Sequence, residues 1–150
     1  MAKQVRTAVE QAVALLAGRP KSRAALAAAL SQRGYPEAEV DAALEQVSRW
    51  GYLDDARVAL ARAMKELPEG RARQQVAQRL EAVGIAPEVA RRAVDHAAAE
   101  LGLTEEAAAR LALSKKRKTG LEAARYLASR GFDEDLAARL AGVDEVPDGG

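Results

Sequence analysis

The sequence has no cysteine, one histidine and one phenylalanine, and aromatics make up only 3% of its 150 residues. Without cysteine there are no disulfides and no thiolate metal sites. The lone histidine, His96, sits between Asp95 and three alanines. With no second imidazole or thiol near it, it reads as a surface or groove residue, not a metal ligand. No glycine-rich phosphate loop and no elbow-type serine occurs. Asp54-Asp55 is the one acidic pair that invites a catalytic or metal reading. Adjacent residues of a helix point about 100° apart, so helix capping explains the pair better. The expectation is therefore a protein without catalytic, cofactor or metal sites.

Long apolar runs are also missing. Nothing approaches the roughly 20 residues that span a bilayer. Met1-Ala2-Lys3-Gln4-Val5-Arg6 leads into an amphipathic stretch and not into a signal-peptide core. A soluble, cytoplasmic protein is expected. Strand signals are scarce, because β-branched residues are few and no period-2 alternation is sustained.

What the chain has in abundance is alanine, 36 residues of it. Alanine favours helix yet buries little area, so many small helices are expected rather than one thick core. Val40, Leu44 and Val47 fall at i, i+4, i+7, with Pro36 near the helix start and Gly51 past its end. Leu60, Met64 and Leu67, then Val76, Leu80 and Val83, repeat that spacing. Caps and breakers predict nine helices near 4–17, 22–33, 36–50, 54–67, 70–83, 87–101, 105–117, 120–130 and 134–141.

These helices form a repeat. Leu26, Leu30, Gly34 and Tyr35 are matched by Val76, Leu80, Gly84 and Ile85, and again by Ala123, Leu127, Gly131 and Phe132. Each glycine suits a left-handed C′ position, with the next apolar residue folding back on the helix. Gly51-Tyr52-Leu53-Asp54-Asp55 likewise corresponds to Gly102-Leu103-Thr104-Glu105-Glu106, an apolar residue and an N-cap opening the next unit. The expected fold is all-α: tandem three-helix repeats over 1–51, 52–103 and 104–142, stacked into an elongated or curved array. An acidic tail, 143–150, is expected to fray. Trp50, at a helix end, is expected to be a packing anchor.

A net charge of +1 hides an asymmetry. Residues 104–132 hold seven basic and three acidic side chains; residues 133–150 hold one basic and six acidic. Basic residues also recur at one place in the repeat. Arg19, Lys21 and Arg23 precede or open the middle helix of unit one, Arg71 and Arg73 that of unit two, and Lys115, Lys116, Arg117 and Lys118 that of unit three. Positive charge at a helix N-terminus opposes the macrodipole, so these residues do not stabilise their own helices. The bland reading is solvated linkers. If the units stack in like orientation, the clusters instead form a stripe suited to nucleic-acid phosphates or an acidic protein surface.

Leu15-Leu16-Ala17-Gly18-Arg19-Pro20-Lys21-Ser22-Arg23, Gly51-Tyr52-Leu53-Asp54-Asp55 and Arg125-Tyr126-Leu127-Ala128-Ser129-Arg130-Gly131-Phe132 resemble segments of the RecX family of regulatory proteins. The likeness covers about residues 5–141. It departs at Val58, where the family usually has an aromatic, and at Ala24-Ala25, where an acidic or polar residue is common. A monomer is expected, and the resemblance implies a non-enzymatic modulator of RecA. Such a protein lodges in the groove of the RecA–DNA filament and inhibits ATP hydrolysis and strand exchange. It implies, for some members, binding to single- or double-stranded DNA as well. Gly51, Tyr52, Leu53, Asp54, Asp55, Arg130, Gly131 and Phe132 are then mainly structural motif residues. The alternative from the residues alone is a helical-repeat protein acting directly on DNA.

Overall fold

Helices start where a side-chain oxygen can satisfy their first amides. In the computed structural model, which describes residues 6–143, Thr7 accepts from the Glu10 amide at 3.1 Å while the Glu10 carboxylate accepts from the Thr7 amide at 2.8 Å. This capping box opens α1 (Ala8–Gly18). Ser22, Asp54, Thr104 and Asp133 cap α2 (Arg23–Gln32), α4 (Asp55–Glu66), α7 (Glu105–Ser114) and α9 (Glu134–Ala141) in the simpler way. Pro87 opens α6 (Pro87–Leu101) with its φ already helical. The rest are α3 (Glu37–Arg49), α5 (Arg73–Ala82) and α8 (Gly120–Ser129). Among the described residues there are nine α-helices and no strand.

Four boundaries differ from the sequence reading. Helix α1 begins at Ala8, behind its Thr7 cap, and not near 4. Pro36 is the N-cap of α3 and not part of the helix. Leu67–Glu69 forms a separate 3-10 turn closed by Gly70 at φ 89°, so α5 begins at Arg73 and not near 70. Helix α7 stops at Ser114, short of 117, because the Lys115 and Lys116 amides turn back on Ala112 and Leu113. The expected fraying tail, 143–150, lies outside the described residues except for Val143, whose amide donates to the Ala138 carbonyl at 3.0 Å.

The middle helices α2, α5 and α8 share one ending. Gly34, Gly84 and Gly131 stand at φ 90°, 91° and 94°. After each, an amide reaches five residues back: Tyr35 to Leu30, Ile85 to Leu80 and Phe132 to Leu127. This Schellman closure satisfies a terminal carbonyl and returns the apolar side chain to the core. Ile85 and Phe132 are 2% and 3% exposed, so the turn also seals each unit.

Burial is divided among three clusters. The first centres on Leu26, Leu30, Leu44 and Val47; the second on Leu67, Val76, Leu80 and Ile85; the third on Leu127 and Phe132 among alanines. Each fully buried leucine contributes roughly 1.5–3 kcal/mol, while the alanines mainly let helices approach closely. Separate cores raise the surface-to-volume ratio.

Successive units dock middle helix to middle helix, end to end. The C-cap carbonyl of α5, on Val83, accepts from Ser22 Oγ at the start of α2 at 2.8 Å. The C-cap carbonyl of α8, on Arg130, accepts from the Ala72 amide at the start of α5 at 3.0 Å. Asp55, opening α4, accepts from the Arg23 amide at 2.7 Å, and Glu105, opening α7, accepts from that of Arg73 at 3.4 Å. The acid at the first helical position of each following unit thus caps the middle helix of the preceding one. Negative helix ends and carboxylates meet positive helix ends throughout.

Candidate cationic cleft and its aromatic rim

The first two units leave a cleft of about 730 Å³ between them. Arg19 and Lys21 reach it from the α1–α2 connection, Arg62 and Lys65 from the last turns of α4, and Arg79 from α5. Glu66 and Glu69 are the carboxylates in its lining, so five cations face two anions. Glu66 is 6% exposed and accepts from Arg79 Nε at 2.6 Å and Arg62 Nη2 at 3.3 Å. That carboxylate holds two guanidiniums in place while leaving their outer faces open, at 45% and 38% exposure. A preset fork of this kind suits carboxylate or phosphate oxygens.

The predicted basic residues fare differently. Arg71 lies half-buried behind the cleft and donates to Gln75 at 2.6 Å. Burial above all, then the neighbouring Arg130 and Arg79, holds its guanidinium below its ordinary value, while Glu66 and Glu69 act in the opposite sense. Arg73 donates to the Leu103 carbonyl at 3.3 Å and lies 3.6 Å from Asp95. Lys115 reaches the Pro68 carbonyl at 3.0 Å, beside Glu69. Lys116 stacks over the Tyr126 ring at 5.9 Å, and Lys118 pairs with Glu122 at 3.0 Å. Arg23 and Arg117 are exposed. The structure therefore brings Arg19 and Lys21 to the cleft, leaves Arg71 out of its lining, and engages Arg73 and Lys115 with carbonyls of other segments and Lys118 with its own helix. Arg62, Lys65 and Arg79 were absent from the sequence reading. Arg62 and Lys65, three apart on one helix face, carried the available signal.

The motif residues hold the junctions. Gly51 is left-handed at φ 79° and lets the Tyr52 amide reach Val47 at 2.9 Å. Leu53 is buried in the first core, and Asp54 caps α4 through the Arg57 amide at 3.2 Å. Arg130 donates to the carbonyls of Gly70 and Glu69 at 3.2 and 3.0 Å and lies over Tyr126. Trp50 corrects its expectation. It is 49% exposed, set edge-on to Tyr52 with ring centroids 6.0 Å apart, and Tyr52 is 59% exposed. The ring anchors no core, because the first cluster is already closed by Leu53 and Val47. A second recess of about 350 Å³, floored by Val13, Leu16, Pro20 and Val58, lies beside Tyr52. It shares Pro20, Lys21 and Val58 with the cationic cleft, so the two adjoin.

His96 is exposed and 3.6 Å from Glu100. Among the described residues no group of three or more His, Cys, Asp or Glu could hold a metal ion. No described helix is long and apolar enough to cross a membrane.

Comparison with known proteins gives a consistent result. Residues 8–46, which contain α1 and α2 and most of α3, match the model of the RecX first three-helix domain. The chain is 40% identical over 130 residues to the regulatory protein RecX of Thermus thermophilus, covering 87% of both chains. It is 39% identical to that of a second strain of the species over the same shares. The regulatory protein RecX of Chromohalobacter salexigens is 33% identical over 136 residues, 89% of this chain and 90% of that one.

Proposed function

Because the chain belongs to the RecX family, we propose that it is a cytoplasmic, non-enzymatic regulator that binds the RecA–DNA filament and inhibits its ATPase and strand exchange. The observation that carries this reading is the open cationic cleft between the first two units, joined to a surface built of three similar modules. A filament offers the same surface at regular intervals. A ligand of linked modules engages several copies and gains affinity through effective concentration. Cations held at a cleft speed and orient docking onto an acidic partner surface. The contact residues in this reading are Arg19, Lys21, Lys65 and Arg79 in the cleft, with Arg23, Lys116 and Arg117 on the flanks.

The test is the ATPase of RecA on single-stranded DNA. Substoichiometric protein lowers it, and Arg19→Glu with Lys65→Glu raises the amount needed for half-inhibition about tenfold. Both side chains have open surroundings, so the double variant folds as before. Inhibition only at amounts that coat the bare DNA would favour direct DNA competition instead. No inhibition at any amount would remove the reading.

A further inference from the structure

We propose that this chain associates with a second copy of itself head to tail, the start of α8 of one copy receiving the end of α2 of the next, so that the array of units continues from molecule to molecule.

The two joints inside the chain show what such a joint requires, and they agree position by position. The N-cap of the middle helix is buried where another unit docks on it: Ser22 is 2% exposed and Ala72 0%. Each donates to the C-cap carbonyl of the following middle helix, Ser22 to Val83 and Ala72 to Arg130. Two residues after the cap, the chain faces the left-handed glycine of that same closure. Ala24 lies against Gly84, and Gln74 donates to the Gly131 carbonyl at 2.5 Å.

The third middle helix begins in the same way, and among the described residues nothing docks on it. Thr119 is the N-cap of α8, yet it is exposed and its side chain caps no amide. Leu121 stands where Ala24 and Gln74 stand, two residues after the cap, and is 57% exposed. A terminal unit of a stacked array stays soluble by turning a polar face outward. An uncovered leucine at the docking position does the opposite.

The matching closure is open at the end of α2. Arg33 and Gly34 correspond to Val83 and Gly84, and both are exposed. A Cβ built on Gly84 or Gly131 would collide with the preceding unit, whereas one built on Gly34 would meet nothing within 4 Å. Beside Gly34 lies a recess of about 900 Å³ walled in part by Val9, Tyr35, Pro36 and Ala42. Leu121 of another copy has an apolar seat there, next to the glycine, as Ala24 has beside Gly84. The negative end of α2 then meets the positive, uncapped start of α8, the pairing used at both inner joints. One anchor is missing: the position of Asp55 and Glu105, whose carboxylates cap the neighbouring helix, is Ala8 in the first unit. A joint short of that anchor leaves the dilute chain monomeric and links copies as concentration rises. Its two faces differ, so the contact builds open chains and not closed pairs.

The experiment is sedimentation velocity of the full chain over a rising concentration series, without RecA or DNA. The weight-average sedimentation coefficient should climb with concentration and show no plateau at the dimer. Leu121→Lys and Gly34→Lys each block one face, and each alone should sediment as a monomer throughout. Mixed in equal amounts they should form a dimer and nothing larger, because each keeps the face that the other lacks. That recovery also shows that both variants fold. A wild-type coefficient that stays constant up to the solubility limit would overturn the proposal. So would association that survives Leu121→Lys, or a mixture of the two variants that stays monomeric while circular dichroism shows both folded. If Leu121→Lys lowers only filament inhibition, the face is a RecA contact, and the proposal fails while the RecA reading stands.

Discussion

The two junctions between units use the same docking geometry and end up with opposite character. Between units two and three the joint is closed. Gly70 lies so near Ala112 that a Cβ added to it would stand 2.7 Å from the Ala112 backbone. Arg130 bridges to the Gly70 and Glu69 carbonyls, while Gln74 and Gln75 donate to the Gly131 and Ser129 carbonyls at 2.5 and 2.8 Å. Between units one and two only the two end-to-end bonds of Ser22 and Arg23 are made in this way, and a cleft remains. The cause is visible at equivalent positions. Gly70 and Ala112 of the closed joint correspond to Pro20 and Arg62 of the open one. At this point of the joint two small residues let the chain segments meet; a ring and a guanidinium instead line a gap with charge, although the same two units still meet closely at Gly84 and Ala24. The backbone rule makes the array, and side-chain volume decides which joint is a hinge-side groove and which is a weld.

The strongest way to break this contrast is to carry one joint's residue to the other. Ala112→Arg places a long cation at a site that is 0% exposed. It should cost about 3 kcal/mol or more through overpacking and a buried charge. The third unit should become protease-sensitive before the first. The reverse change, Arg62→Ala, should cost less than about 1 kcal/mol, because Arg62 is a third exposed and Arg79 still holds Glu66. Equal losses in thermal melts would show that the two joints do not differ as described.

A smaller effect separates a joint from a free end. Gly84 and Gly34 share the left-handed conformation, but of the two only Gly84 faces another unit, the preceding one, where an added Cβ would run into that of Ala24. Gly34→Ala should cost about 1 kcal/mol, the backbone penalty alone. Gly84→Ala should cost about 2–3 kcal/mol, as the joint must shift as well. Chemical denaturation of both variants reads the difference.

The smallest effect sharpens the picture of the third unit, whose core is the poorest in large side chains. Glu106 ties α7 to α9 through Arg139 at 2.8 Å. The hydrogen bond from Arg139, then the charges of Arg110 and Arg139, holds its carboxyl below the ordinary value of 4.5. A depressed folded-state pKa means that this stabilisation is fully present above the unfolded value and is lost as pH falls through the folded one. Stability of the wild type should therefore decline below about pH 4.5 more steeply than that of Glu106→Gln. Parallel acid titrations by circular dichroism check this.

Much of the molecule is readable from local chemistry. Thr104 and Asp54 as caps, Gly34, Gly84 and Gly131 as left-handed closures, and the apolar spacing of α3 and α5 are all decided within one or two helical turns. The misjudged boundaries have local causes that compete closely: Pro68 and Gly70 favour a short 3-10 turn where the apolar spacing continues, and the run Lys115–Lys118 leaves α7 nothing further to bury. The basic clusters were legible as recurring charge, but not as a surface. Arg73 and Lys115 spend their charge on carbonyls distant in sequence, at Leu103 and Pro68. Arg62, Lys65 and Arg79 look like ordinary solvated positions of amphipathic helices until two units are set side by side.

The sequence by itself determined the all-helical class, the threefold repeat, the caps and the closures, because each rests on hydrogen bonds and periodicity spanning a few residues. Only the tertiary structure decided which joint closes and which cations share a cleft, and left Trp50 and Tyr52 uncovered. Those outcomes depend on side-chain volumes meeting across units some fifty residues apart, as Gly70 meets Ala112 and Arg79 meets Arg62 at Glu66. No local pattern encodes such a meeting.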